Sequence, residues 1–104
     1  MELEKWLLKH DIKNMAISCY EDYMSVYRLE EKEDYEEVFG DKETSKIKIV
    51  FHSVSYVINY WYVIDEHKYI SAKLRLEYED TSFAEYEVIY DLDGEIEDDY
   101  FRRI

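Results

Sequence analysis

Within the predicted strand over residues 68–79, apolar and polar side chains alternate from Ile70 to Glu79, and this alternation constrains the fold more than any other feature of the chain. Because successive side chains of a strand point to opposite faces, a period of two predicts a strand with one face in the core and one in solvent. The apolar set is Ile70, Ala72, Leu74, Leu76 and Tyr78, and the polar set is Ser71, Lys73, Arg75, Glu77 and Glu79.

Sequence typical of strands continues on both sides of this segment. Residues 46–51 alternate lysine and isoleucine over most of their length, and residues 56–64 are aromatic and β-branched. Residues 84–92 and 95–102 flank Asp93-Gly94, a dipeptide typical of tight hairpins. Strands this close together predict an antiparallel meander sheet of four to six strands.

Two short helices are predicted ahead of the sheet. One apolar stripe at helical spacing predicts an amphipathic helix over residues 2–10; it consists of Leu3, Trp6, Leu7 and His10. Residues 31–39 are rich in glutamate and lysine, which are good helix formers, and Gly40 follows as a C-terminal cap. The predicted fold class is α+β, with both helices packed on the sheet.

Residues 14–29 carry two conflicting patterns. Met15, Ile17 and Cys19 alternate as in a strand, whereas the tyrosines at 20, 23 and 27 repeat at helical spacing. We predict a strand over residues 14–20 and leave residues 21–30 open. The chain contains no proline and only two glycines, at 40 and 94, so residues 1–104 are predicted to form a single domain without a linker.

The net charge of −13 is concentrated in two separate blocks. Residues 21–44 hold ten acids and three bases, and residues 77–104 hold eleven acids and two bases. The segment between them has five bases and two acids. Self-repulsion within such blocks weakens a compact fold, so we infer that the negative field itself has a use, which is to attract a basic partner.

Composition also excludes several functions. The excess of acid argues against direct binding to nucleic acid or to an anionic membrane. No apolar run approaches the ~20 residues of a membrane-spanning helix, and charges interrupt the first ten residues too often for a signal peptide. The single Cys19 excludes an internal disulfide and indicates a reducing compartment, so a cytoplasmic location is expected.

No pattern in the chain indicates an enzyme, a metal site or a cofactor. The three histidines lie in different elements, without a histidine or cysteine at ligand spacing. Cys19 lies in an apolar segment, which favours an inert thiol. Residues 91–96 share the Asp-x-Asp-Gly core of a calcium loop, but positions 89 and 100 are Ile and Tyr and cannot supply its first and last ligands, so we interpret the segment as a turn.

Acidic residues remain as candidates for a binding surface. Several recur at every second position of the C-terminal strands, where carboxylates on one face would lie ~6.6 Å apart, a separation of the order of that between phosphates of one DNA strand. A second cluster lies on the predicted helix over 31–39 and consists of Glu33, Asp34, Glu36 and Glu37. An ordinary solvated acidic surface is the alternative interpretation.

Two segments resemble the phage uracil-DNA glycosylase inhibitor family. Residues 33–50, EDYEEVFGDKETSKIKIV, resemble its acidic helix, the glycine that ends that helix and the following strand. Residues 86–95, YEVIYDLDGE, resemble its terminal hairpin, and the predicted element order of helix, strand, helix and meander is also similar.

The resemblance implies a DNA mimic, in which carboxylates take the place of phosphates in the DNA groove of the enzyme. It implies that Glu21, Asp34 and Glu37 are partner-binding acids, with Glu33 and Glu36 beside them. It also implies an apolar pocket that receives a side chain of the glycosylase, formed by Tyr35, Val38, Phe39 and Ile49.

The sequence therefore predicts an acidic inhibitor of a basic DNA-processing enzyme, with uracil-DNA glycosylase as the expected target. It is not expected to be an enzyme or to need a cofactor. An immunity protein that neutralises a basic nuclease toxin remains an alternative, as does another phage anti-defence inhibitor. A third alternative is a small domain whose charge only keeps it in solution.

Overall fold

The computed structural model describes residues 1–61 and 66–104. Within them, three helices precede a four-stranded sheet, and a short 3-10 turn, Thr44–Lys46, lies between the two parts. The helices are α1 (Leu3–Lys9), α2 (Ile12–Glu30) and α3 (Lys32–Phe39). The strands are β1 (Lys48–Asn59), β2 (His67–Tyr78), β3 (Thr81–Tyr90) and β4 (Ile96–Arg103), all antiparallel and in sequence order. The predicted α+β class with a meander sheet is confirmed.

The strand predicted over residues 14–20 is wrong, because those residues lie inside α2. The buried positions of this helix are four or three residues apart: Ile12, Ala16, Tyr20, Met24 and Tyr27. Met15 and Cys19, four residues apart, border this stripe on one side, and Ile17 borders it on the other, so all three are partly buried although Ile17 faces away from Met15. The helix is preferred because its full length shares one buried stripe against β2 and β3, and the described part of the chain therefore has a third helix.

The strand predicted over residues 68–79 is confirmed as β2. Ile70, Ala72, Leu74 and Leu76 are fully buried beneath the helices. β1 is a single strand that contains residues 48–51 of the predicted segment 46–51 and residues 56–59 of the predicted segment 56–64. Lys46 lies in the preceding 3-10 turn, and residues 62–64 lie outside the described residues.

The predicted hairpin at Asp93-Gly94 is confirmed between β3 and β4. The backbone N–H groups of Asp93 and Glu95 each donate to the carboxylate of Asp91 at 2.9 Å. Gly94 has a φ of +90°, a conformation that L side chains rarely adopt. The Asp91 carboxylate is thus used within the turn, and Trp6 of α1 donates to the carbonyl of Leu92 at 2.8 Å, which ties α1 to the hairpin.

All three helices pack on one face of the sheet, and the other face carries ion pairs. Glu85, which is only 6% exposed, accepts hydrogen bonds from Arg75 at 3.0 Å and Arg102 at 2.8 Å. Glu87 accepts from Ser71 and Arg102. These two carboxylates are neutralised locally, so they do not belong to an unpaired acidic row.

No helix within the described residues is both long enough and apolar enough to cross a membrane.

Candidate protein-binding surface

A cleft of about 240 Å³ opens between α2, α3 and the start of β1; we call it the apolar cleft. Its floor is mainly apolar and aromatic, and Glu21 and Arg28 of α2 lie on its wall. The residues that line it are Tyr20, Glu21, Met24, Arg28, Tyr35, Phe39, Thr44, Ile47 and Ile49. The arrangement can accept an apolar side chain while offering one charge of each sign.

The apolar cleft brings together four of the residues singled out from the sequence. Glu21, Tyr35, Phe39 and Ile49 all line it, although 28 positions separate the first from the last. α2 supplies Glu21, α3 supplies the two aromatic rings, and β1 supplies Ile49, which is 39% exposed. Burial, more than any nearby charge, raises the pKa of the neighbouring Tyr20 phenol to about 12, so this ring stays neutral at the base of the cleft.

Phe39 is also part of the core. Its ring is 4% exposed, stacks on Tyr35 at a centroid distance of 4.7 Å and meets the edge of Phe83 at 5.6 Å. Val38 is buried beside it and does not line the apolar cleft; its carbonyl accepts a hydrogen bond from Lys42 at 3.1 Å.

The four acids of α3 do not line the apolar cleft. Asp34 accepts a short hydrogen bond from the Tyr27 hydroxyl, and burial together with this bond raises the pKa of Tyr27. Glu37 pairs with Arg103 of β4 at 3.3 Å. Glu33 and Glu36 are exposed and form no ion pair within the described residues. The acidic helix therefore presents two free carboxylates and two that are held in place.

Carboxylates of both acidic blocks meet along the side of α2 that faces β4. Tyr23 lies between Asp34 and Asp99: its ring is 5.6 Å from that of Tyr27 and 5.5 Å from that of Tyr86, the two tyrosines that donate to these carboxylates. The pKa of Tyr23 is raised first by burial, then by the charges of Asp99, Asp34 and Glu31. Asp99 itself accepts a hydrogen bond from Tyr86 at 2.7 Å. Asp22, the residue before Tyr23, lines a groove together with Glu95. We call these five residues the acidic edge: Asp22, Glu31, Asp34, Glu95 and Asp99.

The groove that Asp22 and Glu95 share was not predicted from the sequence. It lies between α2 and the turn that joins β3 to β4, and we call it the hairpin groove. Its volume is about 620 Å³. Cys19 and Tyr90 meet at its base, with the sulfur 3.7 Å from the hydroxyl oxygen. Once residues 14–20 are assigned to a helix, the spacing of the lining residues predicts that they share one helical face. These residues are Asp11, Met15, Cys19 and Asp22.

Within the described residues, no group of three His, Cys, Asp or Glu side chains is arranged to hold a metal ion. The histidines lie apart. His10 stacks on Trp6, His52 contacts Ser53, and His67 bonds to Glu97 at 2.7 Å.

The chain matches no protein-family model, no curated protein and no solved structure. The element order expected from the glycosylase inhibitor family also differs, because α2 occupies the place of the strand between the first two helices. The resemblance is therefore confined to the two segments, residues 33–50 and 86–95.

Proposed function

We propose that this protein is an acidic inhibitor that covers the nucleic-acid-binding surface of a basic enzyme. The observation that carries the proposal is the acidic edge, on which carboxylates of the two acidic blocks lie on either side of Tyr23 and along one groove. The acids of this edge lie more than sixty positions apart in the chain, at 22–34 and at 95–99, so folding brings them together. A surface charged only for solubility does not need such a cluster. A concentrated negative surface steers a basic partner toward it and resembles the phosphates that such a partner binds.

The outer side of α2 has the mixed character of a protein interface. Ser18, Asp22, Ser25 and Leu29 follow one another at helical spacing, and all are exposed. Leu29 is 84% exposed and the neighbouring Val26 is 51% exposed. Apolar side chains beside carboxylates favour contact with a folded partner over contact with water alone.

The apolar cleft adds a feature that a merely acidic surface lacks. A partner held by the acids on the outside of α2 could place an apolar side chain against Tyr35 and Ile49, beside Glu21. This combination of carboxylates and a receiving cleft is the reason to propose uracil-DNA glycosylase as the first target to test.

The test is release of uracil from a uracil-containing oligonucleotide by the glycosylase. Wild-type protein should suppress release near stoichiometrically without binding the oligonucleotide, since like charges repel. Glu21→Lys should weaken inhibition, because it reverses the charge at the rim of the apolar cleft. Glu4→Lys is the matched control, since Glu4 is exposed on α1 and lines neither of the two sites.

Full glycosylase activity at a large molar excess of wild-type protein would reject this target. The acidic edge would then be tested against basic nucleases, because an immunity protein that neutralises such a toxin uses the same complementarity. Equal inhibition by the Glu21→Lys and Glu4→Lys variants would remove the apolar cleft from the contact surface.

A further inference from the structure

The hairpin groove is lined by both apolar and acidic side chains. Met15, Cys19, Tyr90 and Ile96 supply apolar surface, while Asp22 is contributed by α2 and Glu95 by the hairpin turn. Ile96 is 58% exposed, so an apolar surface remains open to an occupant. The groove is thus built from α2 and the β3–β4 hairpin, which belong to separate and mainly acidic parts of the sequence.

The charges of this groove are uncompensated. No lysine or arginine is among the residues that line it. Within residues 1–61 and 66–104, neither Asp22 nor Glu95 forms an ion pair, in contrast to Glu85 and Glu37, which do. Asp11, at one end, accepts a hydrogen bond from Asn14 at 2.6 Å, a neutral partner that leaves its charge in place.

We infer that the hairpin groove is a docking site for a basic side chain, an arginine, projecting from the protein partner. The hydrocarbon stem of such a side chain covers apolar surface while its head stays among polar groups, which matches a groove lined by both Met15 and Ile96 and by carboxylates. The planar guanidinium offers several donors in one plane and can bond more than one carboxylate, so Asp22 and Glu95 are its expected partners. This inference rests on the proposed function, since it names what the basic enzyme inserts beside α2.

A peptide probe tests the groove without any enzyme. Hexa-arginine is titrated into the isotope-labelled protein, and backbone amide shifts are followed by NMR. The largest changes should fall on residues 14–22 and 94–96. The dissociation constant should rise about tenfold in Asp22→Asn/Glu95→Gln, which corresponds to the loss of two partly exposed charge pairs. The matched control, Glu2→Gln/Glu4→Gln, removes two negative charges at the start of α1, outside the groove, and should change binding less than twofold, because only long-range attraction is lost there.

Specificity for arginine is tested with hexa-lysine, which has the same charge but cannot bond two carboxylates with one planar group. Weaker binding of hexa-lysine, with the same residues perturbed, supports the arginine assignment, and equal binding of both peptides overturns it. Shifts spread evenly over all exposed acids, or equal weakening in the groove and control variants, would overturn the groove itself. These outcomes are independent of the uracil-release assay. If the protein inhibits no glycosylase but binds hexa-arginine in the groove, the proposed target is rejected and the docking site is retained.

Discussion

Glu85 is buried and hydrogen-bonded to two arginines, and this environment predicts how the stability of the protein depends on pH. Burial alone would raise the pKa of its carboxyl, but hydrogen bonds and charges from Arg102 and Arg75 outweigh burial and hold the pKa below the ordinary value of 4.5. A depressed folded-state pKa means that the ion pairs contribute their full stability above pH ~4.5 and lose it as the pH falls through the folded-state pKa.

Replacement of Glu85 by glutamine should therefore lower the free energy of unfolding near neutral pH by about 1–3 kcal/mol, since two arginines lose their charged partner. The variant should also lose less stability than wild type when the pH is lowered below ~4.5. Urea unfolding across this pH range measures both effects. Glu4→Gln, at an exposed position on α1, is the control and should follow the wild-type curve. Parallel curves for Glu85→Gln and wild type would contradict the assigned role.

Phe39 is a second residue whose place is decided by its contacts. Although it lines one wall of the apolar cleft, it is almost fully buried and packs on Tyr35, Phe83 and Phe101. Phe39→Ala should cost about 3–5 kcal/mol of stability, as expected when a buried ring leaves a cavity. Denaturant unfolding measures the loss. Leu29→Ala is the control, because an exposed leucine should change stability by less than ~0.5 kcal/mol.

At the scale of elements, the hairpin turn depends on the absence of a side chain at Gly94. A Cβ there would lie 2.7 Å from Nδ1 of His10, and the φ of +90° is unfavourable for any other residue. Gly94→Ala should therefore lower stability by at least ~1 kcal/mol, from backbone conformation and from the clash together.

A double-mutant cycle separates these two causes. In a His10→Ala background the clash is removed and only the backbone cost remains, so the penalty of Gly94→Ala should become smaller. An unchanged penalty would assign the whole effect to the backbone. No penalty in either background would show that the turn adjusts freely, against the geometry described here.

The assignment of α2 shows why local patterns failed at one element. Over only five residues, a strand and a helix are both compatible with apolar side chains at Met15, Ile17 and Cys19. Only the longer buried stripe from Ile12 to Tyr27 distinguishes the helix from the strand. Tyr20 and Tyr23 contact Tyr86 of β3, a residue more than sixty positions later. Secondary-structure propensity over a short window of sequence cannot include such a contact, so tertiary packing determined that α2 is a helix.

At the scale of the whole molecule, net charge should limit stability. With a net charge of −13, like charges repel throughout the surface, and salt should screen this repulsion. Relief of about 1 kcal/mol would raise the Tm by about 4–8 °C in a domain of this size. Thermal melts between ~0.05 and ~0.5 M NaCl measure the effect, and KCl at the same ionic strength should give the same rise in Tm, because screening depends on ionic strength. A flat Tm would show that ion pairs already neutralise the repulsion.

The same field should govern association with a basic partner. If the protein inhibits uracil-DNA glycosylase, stopped-flow association rates should fall steeply as salt rises, because charge steering acts mainly on the on-rate. The dissociation rate should change much less over the same range. Association rates that stay flat up to ~0.5 M salt would count against electrostatic mimicry, since the screening length shrinks severalfold over that interval.

The sequence by itself determined the fold class, an antiparallel meander of four to six strands and the place of the hairpin, and the structure set the number of strands in the described residues at four. These features follow from short-range rules: the period of two in residues 68–79 places Ile70 and Leu74 in the core, and Asp93-Gly94 turns the chain. The apolar cleft was anticipated in part, through Glu21, Tyr35, Phe39 and Ile49, but on the strength of a family resemblance and not of periodicity.

Only the tertiary structure decided which acids are free and which are held. Glu85 and Glu87 look the same in sequence as Glu95, yet strand register places Arg75 and Arg102 beside the first two. Asp22 and Glu95 became neighbours because α2 packs along the β3–β4 hairpin. Charge pairing acts across a few ångströms of space, whatever the separation along the chain, so composition could predict a negative field but not where it is left uncompensated.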